Sequence, residues 1–259
     1  MDLYKLDFFR DPNFRFNEEA HTYHYYNPET GKPVQKFMSV TQFLSQFKKP
    51  FDSEVIANAV AKSRTRKGEP TTKAQVLQEW KDISDIALKL GTNVHKWIED
   101  YYNGDEPAMP TAINENERVE KFLAIYEERL HKLTAVEQEF RVFSRKWGIA
   151  GTLDILFWLA PFFYIGDWKT NKKFTTDKDP EGRKQKMLPP FQDMWDNSLN
   201  AYSIQLSLYR LILKEEADFD TEGGFLVWIG PNGKPKLFKI VDLRDRLYEF
   251  LQKNNDNSL

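Results

Sequence analysis

Residues 151–170, Gly-Thr-Leu-Asp-Ile-Leu-Phe-Trp-Leu-Ala-Pro-Phe-Phe-Tyr-Ile-Gly-Asp-Trp-Lys-Thr, constrain the fold of this chain more than any other stretch. Two runs of apolar, aromatic and β-branched residues flank Ala160-Pro161, a pattern that reads as strand, tight turn, strand. Each run carries an acid where a buried strand favours an apolar side chain: Asp154 in the first, Asp167 near the end of the second. Alternation along a strand puts Asp167 and Lys169 on one face and Trp168 on the other, and a hairpin would bring Asp154 up to that first face. An isolated Asp-x-Lys is most often a surface ion pair on an edge strand. Here the acids sit in runs too apolar to face solvent. Two carboxylates and an ammonium converging on one patch are costly unless something binds there, and a divalent cation is the obvious candidate.

The chain has 259 residues, enough for one substantial core. The pattern divides it into an N-terminal hairpin and helical portion, residues 1–134, and a core portion, residues 135–259, expected to form one compact unit. There is no cysteine, which excludes disulfides, thiolate metal sites, cysteine nucleophiles and iron–sulfur clusters. The first residues show no signal-peptide pattern, and the apolar run Ile155–Ile165 is too short to span a membrane. A cytoplasmic location is therefore expected. The net charge of −2 gives no global attraction to nucleic acid, so any such binding must come from local clusters of Lys and Arg.

Aromatic and polar residues alternate over 14–41, and Asn27-Pro28-Glu29-Thr30-Gly31 is a turn signal, so a β-hairpin is expected there. Ser39 or Thr41 suits the N-cap of a short following helix. Helices are expected around 53–63 and 72–90, separated by Gly68-Glu69-Pro70. The densest basic cluster, Lys62, Arg64, Arg66 and Lys67, reads either as a solvated helix end or as a phosphate-contacting patch. Gly91, His95 and Glu99, four apart, share a helical face. A helix over about 115–132 and a strand over 135–144 follow. Glu137 and Glu139 project from the same side of that strand, which leaves open which of them is functional. The polar stretch 171–196, with Lys172 and Lys173, reads as a flap over a substrate path or as a solvated linker. A helix over 199–214 carries Tyr202, Gln205 and Tyr209 on one flank, where Gln and Tyr demand polar partners. Strands at 223–230 and 235–241 and a C-terminal helix complete an α/β pattern.

Three pieces taken in order, Gly151-Thr152-Leu153-Asp154, then Asp167-Trp168-Lys169-Thr170, then Gln205 with Tyr209, resemble the PD-(D/E)XK nuclease superfamily in its RecB-like exonuclease branch. The Tyr–turn–Ser39-Val40-Thr41 opening is similar to that of phage-type and mitochondrial genome maintenance exonucleases. The resemblance implies a restriction-endonuclease-like core, a central mixed β-sheet flanked by helices, and a Mg²⁺- or Mn²⁺-dependent DNA exonuclease. It implies metal binding by Asp154, Asp167 and the Trp168 carbonyl, with His95 and Glu139 completing the site. Glu139 is favoured by an acid that such sequences carry five residues before a Ser, here Ser144. Lys169 would orient or deprotonate the attacking water, while Gln205 and Tyr209 would hold the lysine or the nucleic-acid strand. Thr170 and the basic residues named above would contact DNA, single-stranded or at its ends, in recombination, repair or genome processing. A recombination or single-strand-binding protein is a conceivable partner, and a phage origin would mean the host cytoplasm. The four cysteines of some relatives are absent, so no iron–sulfur cluster is implied. A structure-specific or restriction-like endonuclease would share every catalytic residue, and an inactive nucleic-acid-binding relative is the non-enzyme alternative.

Overall fold

The computed structural model describes residues 2–176 and 185–256. Its centre is β5 (Ile149–Leu159), with β4 (Thr134–Ser144) antiparallel along one edge from Ile149 to Trp158. The other edge is shared. There β3 (Pro33–Ser39) pairs parallel with Ile149 and Ala150, and β6 (Phe162–Lys169) pairs antiparallel from Ile155 onward. The sheet extends through β6 to β7 (Gly223–Trp228), parallel, and then to β8 (Lys236–Lys239), antiparallel. On the far side β3 continues antiparallel into β2 (Thr22–Tyr26) and β1 (Phe14–Asn17). The architecture is thus α/β, an open mixed sheet of eight strands flanked by helices, consistent with a restriction-endonuclease-like core. Strands from both sides of residue 134 belong to this one sheet.

Helices cover both faces. On one side α1 (Val40–Ser45), α5 (Ser198–Ala217) and α6 (Arg244–Asp256) close a core that includes Phe47, Phe143, Leu156, Ile165 and Ile212. On the other, α3 (Lys73–Asn103) and α4 (Ile113–Glu128) bury Val94, Ile98, Phe122, Phe157 and Trp168. Removing side chains of this kind from water stabilises the fold by about 1.5–3 kcal/mol each. α2 (Ser53–Arg66) packs against the first turns of α3 through a small separate core of Ala57, Ala61 and Val76. No described helix is long and apolar enough to cross a membrane.

Local chemistry sets these boundaries. Ser39 caps α1 by accepting the Gln42 N–H, and Asp52 caps α2 through Val55. Thr72 and Gln75 form a reciprocal capping box at the start of α3, which ends at Gly104 with φ 84°, a left-handed residue that glycine adopts without strain. Three readings are corrected. The expected hairpin is a three-stranded meander, because Phe14 and Phe16 add β1 through a turn at His21. The segments 72–90 and 91–102 form a single 31-residue helix, since Gly91 is absorbed in its interior. The second half of the expected flap is not one: Met187 and Phe191 are buried in the core, and Leu188 donates its N–H to the Phe47 carbonyl. Lys178, Arg183 and Lys184 lie outside the described residues.

Candidate active site

The site forms where β6 parts from β5. Regular pairing ends at Ile155–Gly166, and beyond it the Asp154 carboxylate accepts the Trp168 N–H at 2.8 Å, a donor that the ladder would otherwise have used. From the opposite side α3 brings in His95. Its approach is close because Gly91, one turn earlier, lies against Thr170; a Cβ there would sit 3.4 Å from Thr170 Oγ1. His95 Nε2 lies 3.0 Å from the Trp168 carbonyl, to which it donates, and this leaves Nδ1 facing two carboxylates. Nδ1 is 3.5 Å from Asp154 Oδ2 and 4.0 Å from Glu139 Oε1. One ligand atom from each of His95, Glu139 and Asp154 lies within 4.8 Å of the others.

Glu139 reaches this cluster from β4, opposite Asp154 in the register, with φ 44°. A positive φ costs a β-carbon residue about 1–3 kcal/mol and persists only where its surroundings enforce it. Burial, then the charges of Asp154, Glu99 and Asp167, push the Glu139 carboxyl up to about 8. Glu137, the other candidate acid, is turned away and pairs with Arg10. The structure therefore separates two residues that strand alternation leaves equivalent.

Asp167 and Lys169 lie on the opposite face of β6 from Trp168, packed toward α5. Lys169 Nζ is 2.6 Å from Asp167 Oδ2, a close and almost wholly buried ion pair. The pair is poorly matched to its surroundings. Burial and the Asp154 charge raise the Asp167 carboxyl, and Lys169 only partly offsets them. Burial also pulls the lysine down, yet Asp167 and Asp154 together outweigh it, so Lys169 keeps its proton more tightly than usual. Asp167 stands apart from the three groups that face one another.

Other sequence candidates fall elsewhere. Gln205 bonds weakly to the Tyr209 hydroxyl at 3.5 Å. Tyr209 itself is buried against Gly151, where any Cβ would come within 2.8 Å of its ring, so it packs α5 onto β5 and does not face a substrate. The residue over the lysine is Tyr202, whose ring centroid lies 4.3 Å from Lys169 Nζ. The Trp168 carbonyl, expected to bind metal, accepts from His95. Thr170 is half-buried, Lys172 and Lys173 are exposed just beyond β6, and Lys62, Arg64, Arg66 and Lys67 end α2, outside the cleft. The cleft holds about 820 Å³ and is lined by His95, Glu99 and Glu139 together with Phe16, Arg141 and Thr152. The Arg141 guanidinium covers the Phe16 ring at 5.3 Å. The sequence held a signal for Arg141, which shares a strand face with Glu139, and for Tyr202, one turn before Gln205.

A divalent cation fits this donor set. Two carboxylate oxygens and an imidazole nitrogen lie within 4.8 Å of one another, and burial followed by the neighbouring carboxylate charges raises Glu139. A metal-binding histidine commonly fixes its ring through the other nitrogen, as His95 does on Trp168.

No family model and no curated protein matches the chain. Among solved structures it is similar to a "Putative exonuclease" from Eubacterium rectale, at 13% identity and a TM-score of 0.39, over 66% of this chain and 65% of that one. The chain therefore spans just under two thirds of that protein. It is also similar to SSO0001, at 15% identity and a TM-score of 0.31, over 84% of this chain and 73% of that one. At such scores neither likeness bears on activity.

Proposed function

We propose that the chain is a divalent-cation-dependent nuclease that hydrolyses phosphodiester bonds in DNA, working from strand ends. The observation that carries this reading is the meeting of Asp154 with His95 and Glu139, which line the cleft, one strand away from the Asp167–Lys169 pair. His95 through Nδ1, Glu139 and Asp154 would hold the cation. When bound, Mg²⁺ or Mn²⁺ neutralises phosphate charge and lowers the pKa of a coordinated water. Lys169 lies beside the Asp167 carboxylate, where its ammonium would stabilise charge developing on the phosphate. Asp167 and the Tyr202 ring fix the ammonium in position. His95 is oriented by the Trp168 carbonyl, and Asp154 by the Trp168 N–H, so one peptide segment sets both groups.

The test is digestion of 5′- and 3′-labelled linear DNA, single- and double-stranded, beside a single-stranded circle, with Mn²⁺ or with EDTA. Cation-dependent loss of linear DNA, a resistant circle and an inactive Asp154→Asn variant are expected. Cleavage of the circle would convert the reading to an endonuclease, and absence of cation-dependent cleavage of any DNA would end it.

A further inference from the structure

α2 and the start of α3 form an arm. Their private core of Ala57, Ala61 and Val76 holds them together, and residues 81–89 of α3, which connect the arm to the body, are all exposed. At the arm's end Lys62 and Arg66 of α2, with Asn58, Ala61, Thr65, Thr71 and Lys73, line a cavity of about 350 Å³. Two of the neighbouring basic groups are neutralised locally: Arg64 bonds both carboxylate oxygens of Glu79, and Lys73 pairs with Glu54 at 2.6 Å. Lys62 and Arg66 remain to face a ligand from a wall that also carries hydroxyl and amide groups, the donor set that grips phosphate oxygens.

The continuous helix fixes where this cavity stands relative to the cleft. Lys73 and His95 are 22 residues apart on α3, which at 1.5 Å per residue separates them by about 33 Å along the axis. At 100° per residue they also lie only about 40° apart around it, so both project toward the same side. A rise of 33 Å corresponds to about 10 base pairs of duplex, one helical turn, after which a backbone strand returns to the same side. From this register we infer that the arm grips the phosphate backbone of a double-stranded flank about one turn from the cut. The inference rests on the nuclease reading and specifies its substrate: an end that keeps a duplex of at least that length.

The test measures binding of the full chain in EDTA to hairpin-capped duplexes of 6, 8, 10, 12, 14 and 18 base pairs, and to single strands of matching length. Wild type should gain affinity in a step between 8 and 12 base pairs. A Lys62→Gln/Arg66→Gln variant should bind the 8-base-pair duplex like wild type, lack the step, and show a log–log salt slope on the 18-base-pair duplex shallower by about 1.8. Unchanged thermal unfolding of the variant verifies its fold. A wild-type protein that binds the short duplex with no step, a variant that keeps the step, or an equal step on single strands would overturn the inference while leaving the nuclease reading intact. Failure of wild type to bind any of these DNAs would count against both.

Discussion

Lys169→Met separates the two roles that the lysine combines, counter-ion and participant in chemistry. The side chain it leaves behind, Asp167, is almost wholly buried. Stripping the partner from a buried charge typically costs about 3–5 kcal/mol. Asp167 can escape part of that cost, because burial and Asp154 already raise its carboxyl even with the lysine present. Without Lys169 it rises further and takes up a proton that the unfolded chain, near its ordinary value, does not hold. The folded state then binds one proton more than the unfolded state, so stability falls as pH rises, by about 1.4 kcal/mol per unit. Asp167→Asn/Lys169→Met has no such proton. The gap in stability between the single and the double variant should therefore widen by about 2.7 kcal/mol from pH 6 to pH 8, so long as the lone carboxyl titrates above pH 8. Urea unfolding at pH 6, 7 and 8 reads this directly, and both variants should be inactive as nucleases at every pH. A gap that does not change with pH would mean that Asp167 stays ionised without its lysine, and the account of the pair given above would be wrong. Cleavage by Lys169→Met at the wild-type rate would remove the ammonium from the chemistry.

Further outcomes follow from the cleft and the core. Mn²⁺ at a hundred times its dissociation constant should stabilise the protein by about 2.7 kcal/mol, or about 5–10 °C in thermal unfolding for a chain of this size; Asp154→Asn and His95→Ala should lose most of that shift, and an unchanged shift in both would place the ion elsewhere. Glu139 is raised to about 8 from 4.5, so the metal-free protein should lose stability as pH climbs from 4.5 through 8, and Glu139→Gln should flatten that decline in a pH series of melting temperatures. Gly151→Ala pushes a Cβ to 2.8 Å from the Tyr209 ring and 3.0 Å from Val40; urea unfolding should register a loss of about 1–3 kcal/mol, because helix and strand must separate. Arg210→Met deletes the guanidinium that bonds the Thr221 hydroxyl at 2.9 Å, its carbonyl at 2.6 Å and Asp242 at 2.9 Å; a cost of about 3–5 kcal/mol is expected in the same assay, since the partners left behind include a buried carbonyl.

What the sequence revealed and what it hid follow from the range of the interactions involved. The strand–turn–strand over 151–170 was legible because apolar runs and a proline turn are local signals, and the same holds for the Ser39 cap and the Gly68-Glu69-Pro70 break. Period alone could not choose between Glu137 and Glu139, which alternation makes equivalent; the choice is made by the positive φ at Glu139 and by Arg10, 127 residues from Glu137, arriving on its other side. Nor could it tell that Tyr209 would be spent on packing. That depends on Gly151 lacking a side chain just where α5 crosses β5. Nor does an apolar run reveal that two carboxylates from different strands arrive beside Lys169. The length of α3 shows the opposite case. Glycine at position 91 reads locally as an interruption, since it costs a helix about 1 kcal/mol relative to alanine. Here it is the residue that lets the helix pass Thr170 and deliver His95 to the Trp168 carbonyl, so the local weakness and the site geometry have the same cause.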